Sequence, residues 1–222
     1  MDANNTSKQL LNIFDLLLAH FGPRHWWPAE STLEVVFGCI LTQNVAWKNV
    51  EQAIYNLKEK NLIDIEKILN VPNMELAELI KTTRYYNQKA SNLKSFCNSI
   101  FKEFNNNLEN LFNLELKELR SLLLSLKGIG NETADSIILY AANKPIFVVD
   151  SYTKRIFSRI GFFKSDITYE DTQKYFMSNL QSNTYLFNEY HALIDGLGHY
   201  ICKLKKPDCK LCPVNVICSK NI

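Results

Sequence analysis

An all-α fold follows from three features of the 222-residue sequence. Apolar residues recur at helical spacing along most of the chain, sustained alternation is absent, and no internal repeat divides it. One short apolar run, 146–149, reads as strand-like. Hydrophobic residues make up 46% of the chain, with only seven Gly and six Pro, which supports a packed core and argues against disorder.

Each element has its own local reason. In 8–21, Leu10, Leu11, Ile13, Phe14, Leu17 and Leu18 share one helical face, and Gly22-Pro23 ends the run. The aromatic knot His25-Trp26-Trp27-Pro28 follows. Ser31 or Thr32 can cap a helix over 33–42, which Gln43-Asn44 interrupts before the pattern resumes over 45–58. Shorter amphipathic runs at 63–69 and 74–82 are separated by Pro72. Arg84-Tyr85-Tyr86-Asn87 is a polar and aromatic turn that leads into a long helix, 88–104, broken by Asn105-Asn106-Asn107. Two helices, 116–126 and 132–142, flank Gly128-Ile129-Gly130, with Asn131 as N-cap of the second. This is a helix-hairpin-helix, in which glycines can turn at positive φ and let backbone N–H groups approach a phosphate. Helices over 151–160, 172–180 and 188–200 complete the set.

A net charge of +2 and a pI near 8.1 do not by themselves identify a nucleic-acid binder. Local charge is more informative: Lys203, Lys205, Lys206, Lys210 and Lys220 face a single Asp208 within 199–222, a basic tail suited to phosphates or to a solvated surface. No apolar run reaches the length of a membrane span, and the polar start MDANNTSKQL has no signal-peptide pattern. A soluble cytoplasmic protein with no membrane partner is expected, so its cysteines are not disulfides. Cys39 and Cys97 sit in helical patterns as core fillers, whereas Cys202-x6-Cys209-x2-Cys212-x5-Cys218 crowds four thiols onto one metal centre. Generic ligand chemistry allows zinc or an iron-sulfur cluster there, with His199 as a spare ligand.

Five motifs in fixed order, ILTQN at 40–44, YYNQKA at 85–90, LKGIG at 126–130, VVDSYTKR at 148–155 and the terminal cysteines, together resemble the endonuclease III type of helix-hairpin-helix DNA glycosylase over nearly the whole chain. The resemblance implies a two-lobed fold: a six-helix barrel over 24–144, and a second lobe from 1–23 and 145–222 ending in the cluster loop. It implies a [4Fe-4S] cluster on Cys202, Cys209, Cys212 and Cys218, with zinc as the alternative, chiefly ordering the basic loop 203–210. It implies a monomer that binds double-stranded DNA containing a damaged base, with the duplex in the cleft between the lobes.

In that frame Asp150 stabilises the positive charge that develops on the sugar as the base departs, and it can also cap the helix at 151–160. The base must be flipped out of the duplex. Gln43 is a candidate wedge or a buried hydrogen-bonding residue, with Tyr85, Tyr86 and Asn87 as a second probe. Trp26, Trp27 and Trp47 are candidate π walls of the base site or core anchors. Lys127, Gly128, Gly130, Lys154 and Arg155 are candidate backbone contacts, the last two equally readable as exposed helix charges.

One departure carries information. Bifunctional family members start the second hairpin helix with a lysine that forms a Schiff base at C1′, and here Glu132 holds that position. The expected enzyme is therefore a monofunctional glycosylase. The WWP and LTQN-x2-aromatic segments are similar to the 3-methyladenine branch, which points to alkylated purines. A bifunctional oxidised-pyrimidine glycosylase and lyase, and a noncatalytic DNA-binding module, are the alternatives. The adenine mismatch branch needs a glutamate near 41–43, and the sequence has none there.

Overall fold

Residues 3–221 are described by a computed structural model, and among them there are twelve α-helices and no strand. Contacts divide the chain into two units, Trp27–Lys144 and the pair of segments Met1–Trp26 and Pro145–Ile222.

The Trp27–Lys144 unit contains α2 (Thr32–Leu41), α3 (Trp47–Glu59), α4 (Ile65–Asn70), α5 (Asn73–Leu79), α6 (Tyr86–Glu103), α7 (Leu108–Phe112), α8 (Leu116–Ser125) and α9 (Asn131–Ser136). The terminal unit contains α1 (Ala3–Phe21), α10 (Ser151–Ile160), α11 (Tyr169–Asn179) and α12 (Thr184–Gly196). Ser31 caps α2 by accepting from Glu34 N, which decides between the two predicted caps. Helix α7 was not expected: Asn107 does not only break α6, it also caps the next helix through its side chain.

Two predicted helices end differently from their pattern. The stretch expected as 132–142 is α-helical to Ser136 and then widens into a π turn over Ile137–Ala141. The run expected to reach 200 likewise passes from α12 into a π turn over Leu197–Ile201. Such turns insert one residue per repeat and rotate the following side chains, which hydropathy periodicity does not reveal.

Helix α6 runs through the first unit's interior, burying Leu93, Phe96 and Ile100 and packing on α4, α5 and α2. In the terminal unit the core is aromatic. Phe147 stacks on Phe176 at 4.1 Å between ring centroids, and Phe157, Phe187 and Tyr190 meet them edge-on. Burying each such ring stabilises by roughly 1.5–3 kcal/mol. The strand-like run 146–149 is buried and pairs with no strand; side chains replace the ladder, Gln173 Nε2 donating to Phe147 O at 2.7 Å and Val149 N donating to Tyr169 Oη at 3.4 Å. It delivers the chain to Asp150 through the core.

Candidate nucleic-acid interface and cysteine site

The hairpin is built by two glycines with different tasks. Gly128 has φ +79, and a Cβ there would stand 1.9 Å from Asn92 Nδ2, so position 128 accepts only glycine. Gly130 is extended and has open space where its Cβ would be, so the turn leaves a bare backbone in front of α9. Gly130 rather than Asn131 is the N-cap; Asn131 is the first helical residue, and its Oδ1 accepts from Arg120, which also pairs with buried Asp135 at 2.7 Å. Ile129 points into the core, while Lys127 and Glu132 are exposed.

Gln43 reaches this hairpin. Its Nε2 donates to Gly128 O at 2.9 Å and to Thr133 Oγ1 at 3.0 Å, so it is a half-buried hydrogen-bonding residue that links the ILTQN turn to the glycine turn. Tyr85, Tyr86 and Asn87 lie exposed at the start of α6, where Arg84 (φ 55) and Tyr85 (φ 43) adopt backbone angles that L-residues rarely occupy. Strain of this kind persists only where surrounding structure fixes it.

Two of the three tryptophans come together. Trp27 meets Trp47 at 5.1 Å between centroids and Tyr140 at 5.3 Å, and Gly38 makes room for the Trp27 indole because a Cβ there would come within 2.9 Å. The three rings are half-buried. Tyr140 was missed because the 132–142 pattern reads as a core helix, whereas the π turn places Tyr140 in the aromatic group. Trp26 belongs to the terminal unit.

In the terminal unit Asp150 caps α10. Its Oδ1 accepts from Thr153 N and Thr153 Oγ1, both at 2.6 Å, and its Oδ2 lies 4.0 Å from His191 Nε2. One carboxylate oxygen is therefore held by the helix start, and the other faces an imidazole. Asp195, one turn along α12 from His191, has its carboxyl raised above the usual range because the surrounding protein desolvates it; His191 opposes this and Asp150 adds to it. Neither His191 nor Asp195 has a local sequence signal, since both read as helix residues far from Asp150 along the chain.

Cys202, Cys209, Cys212 and Cys218 line one cavity at the end of the terminal unit. Burial pushes the Cys212 thiol up, with the other three cysteines adding to the shift. Arg159 Nη1 approaches Cys202 Sγ at 3.4 Å and Lys220 N approaches Cys218 Sγ at 3.4 Å, donors of the kind thiolate sulfurs accept. Among the described residues no set of three ligands is gathered tightly enough for a single metal ion. Four thiols lining one cavity are a donor set that suits an iron-sulfur cluster or zinc. Lys203, Lys205, Lys206 and Lys210 are exposed on the connecting loop. Arg155, a candidate backbone contact or helix charge, donates to Gly198 O and Cys202 O, each at 3.0 Å, and lies 4.8 Å over the Tyr152 ring. Lys154 is half-buried on the same helix.

The sequence profile of the HhH-GPD superfamily of base excision DNA repair proteins matches residues 37–182. This chain belongs to that superfamily. Within it, MJ1434 of Methanocaldococcus jannaschii, whose name places it with the DNA repair glycosylases, is 43% identical over 215 residues, covering 96% of this chain and 97% of its own. The H. pylori 3-methyladenine DNA glycosylase MagIII bound to 1,N6-ethenoadenine superposes with a TM-score of 0.72 at 29% identity, over 87% of this chain and 95% of that one. A trapped endonuclease III–DNA covalent intermediate superposes with a TM-score of 0.82 at 23% identity over 96% of each chain, a likeness of fold. The HhH-GPD chain is thus a base excision repair glycosylase by family, all-helical and without any helix long and apolar enough to cross a membrane among its described residues.

Proposed function

We propose that this chain is a monofunctional DNA glycosylase that hydrolyses the N-glycosidic bond of alkylated purines in double-stranded DNA. The observation that carries the hydrolytic reading is Glu132, an exposed carboxylate where an imine-forming lysine would otherwise begin the second hairpin helix. A carboxylate cannot condense with C1′ to an imine, so strand cleavage through a Schiff base is closed at this position.

The chemistry then falls to Asp150. The C1′–N bond breaks with its electron pair leaving on the base, and an alkylated, cationic purine departs neutral without needing an acid. Oδ2 of Asp150 stabilises the positive sugar and orients a water, whose oxygen bonds to C1′ as its proton passes to that carboxylate. The half-buried Trp27, Trp47 and Tyr140 rings offer π faces suited to a cationic base. The hairpin glycines and the exposed loop lysines supply backbone contacts that do not read sequence. The likeness to MagIII supports the substrate class. A [4Fe-4S] cluster held by the four cysteines fits their arrangement, and it would order the 203–210 loop without entering the reaction.

The test is a panel of duplexes carrying methylated, deaminated and oxidised bases, each assayed with and without hot alkali. Release of methylated purines with strand breaks only after alkali is expected, and Asp150→Asn should slow release by on the order of 10²–10³-fold. Release confined to oxidised pyrimidines would overturn the substrate assignment.

A further inference from the structure

Lys89 is a buried cation to which the proposed chemistry gives no role. It sits in the first turn of α6, 3% exposed, and its three ammonium donors are all used on backbone carbonyls: Leu41 O at 2.8 Å, Gln43 O at 2.9 Å and Thr83 O at 2.6 Å. Each acceptor belongs to a segment that turns. Leu41 ends α2, where unsatisfied carbonyls and the negative end of the helix dipole attract a cation. Gln43 carries the side chain that meets the hairpin, and it precedes Asn44 at φ 55. Thr83 precedes Arg84 and Tyr85, the two strained residues before exposed Tyr86 and Asn87.

The same helix face holds the hairpin as well. Asn92, three residues further along α6 and 2% exposed, lies against Gly128 so closely that no Cβ fits there. The start of α6 is thus the common support of three turns, 42–44, 83–87 and 127–131.

A buried ammonium facing only carbonyl dipoles is a poor way to gain stability, because three hydrogen bonds must offset the desolvation of a full charge. Burial indeed pulls the Lys89 ammonium down to about 8. What the ammonium supplies is geometry: three short bonds from one atom fix two turns relative to each other with little freedom for either. We infer that Lys89 is a positioning residue, a three-pronged clamp that holds the Gln43 turn and the 83–87 turn in the arrangement needed to capture an extrahelical nucleotide. The inference rests on the glycosylase reading above, because it assigns these turns to lesion capture.

A binding comparison that needs no catalysis tests it. Wild type, Lys89→Met and Lys89→Arg are measured for affinity toward a duplex with a tetrahydrofuran abasic-site analogue and toward the same duplex undamaged, and amide hydrogen exchange is followed at 42–45 and 83–87. The methionine variant should lose at least tenfold of its preference for the abasic analogue while its affinity for undamaged duplex changes less than threefold, and exchange at both turns should rise at least tenfold. Arginine, with a planar fork in place of a tetrahedral ammonium, should restore part of the exchange protection and little of the preference. An unchanged preference in Lys89→Met, whatever the exchange, overturns the inference. So does an equal loss of affinity for both duplexes, which would mark a merely structural lysine. If wild type itself releases no base yet prefers the analogue, the failure falls on the glycosylase reading, and the clamp is still decided by the variants.

Discussion

Lys89 and Arg159 perform the same kind of work in different units. Each is a buried cation that holds a loop by its carbonyls. Lys89 grips Leu41, Gln43 and Thr83; Arg159, 8% exposed, donates to Lys203 O at 2.8 Å, to Leu204 O at 3.0 Å and to Cys202 Sγ. Their chemistry differs. The guanidinium is a planar, delocalised fork of donors, whereas the ammonium is a compact charge that burial brings within reach of titration. Arg159 also returns through its own carbonyl, which accepts from Asn221 N at 3.1 Å and lies 3.4 Å from Cys218 Sγ, so both ends of the cysteine segment meet one residue. The cysteine segment is therefore tied at both ends to one residue, and the turns held by Lys89 are held by a charge that pH can remove.

Breaking the Arg159 clamp should cost most. Arg159→Leu leaves three acceptors without their donor and should destabilise the terminal unit by about 3–5 kcal/mol. Urea denaturation followed by hydrogen exchange at 203–212 measures this. A loss below about 1 kcal/mol would show that the loop does not depend on the guanidinium.

The Lys89 clamp is sharpened by pH. With Lys89 at about 8 in the folded chain and 10.5 as its ordinary value, the unfolded chain binds more protons between those limits, so folding stability gains as pH rises from 8 to 10.5. The gain attributable to Lys89 is at most about 3 kcal/mol, since the carbonyls favour the charged form. It is read as the difference between wild type and Lys89→Met in urea titrations at pH 7.5 and pH 10. A difference that does not change over this window would mean that the carbonyls cancel the desolvation.

Much of this architecture is legible from local pattern. Ser31, Asp64, Asp150 and Thr168 each accept a hydrogen bond at the start of a helix, a signal carried within four residues. The cysteine spacing and Glu132 are equally local. What is not legible is what depends on distance along the chain or on a shifted helical register. Lys89 meets Leu41 across 48 positions, and Tyr140 meets Trp27 from within a π turn. One signal for Lys89 was available: with Leu93, Phe96 and Ile100 it falls on the apolar face of α6, where a lysine must be buried with partners. Arg155 is a further case, since the helix turns a charge five residues after Asp150 toward the carbonyls of Gly198 and Cys202.

The claim that the reaction stops at base release rests on Glu132 and is tested most directly by borohydride. Wild-type protein is incubated with duplex carrying its preferred lesion in the presence of sodium borohydride, and covalent protein–DNA adducts are resolved on a denaturing gel. Released base with no adduct is the predicted result. An adduct that forms on wild type and vanishes in Lys127→Ala or Lys154→Ala would contradict the account, because a lysine would then be forming the imine that Glu132 cannot.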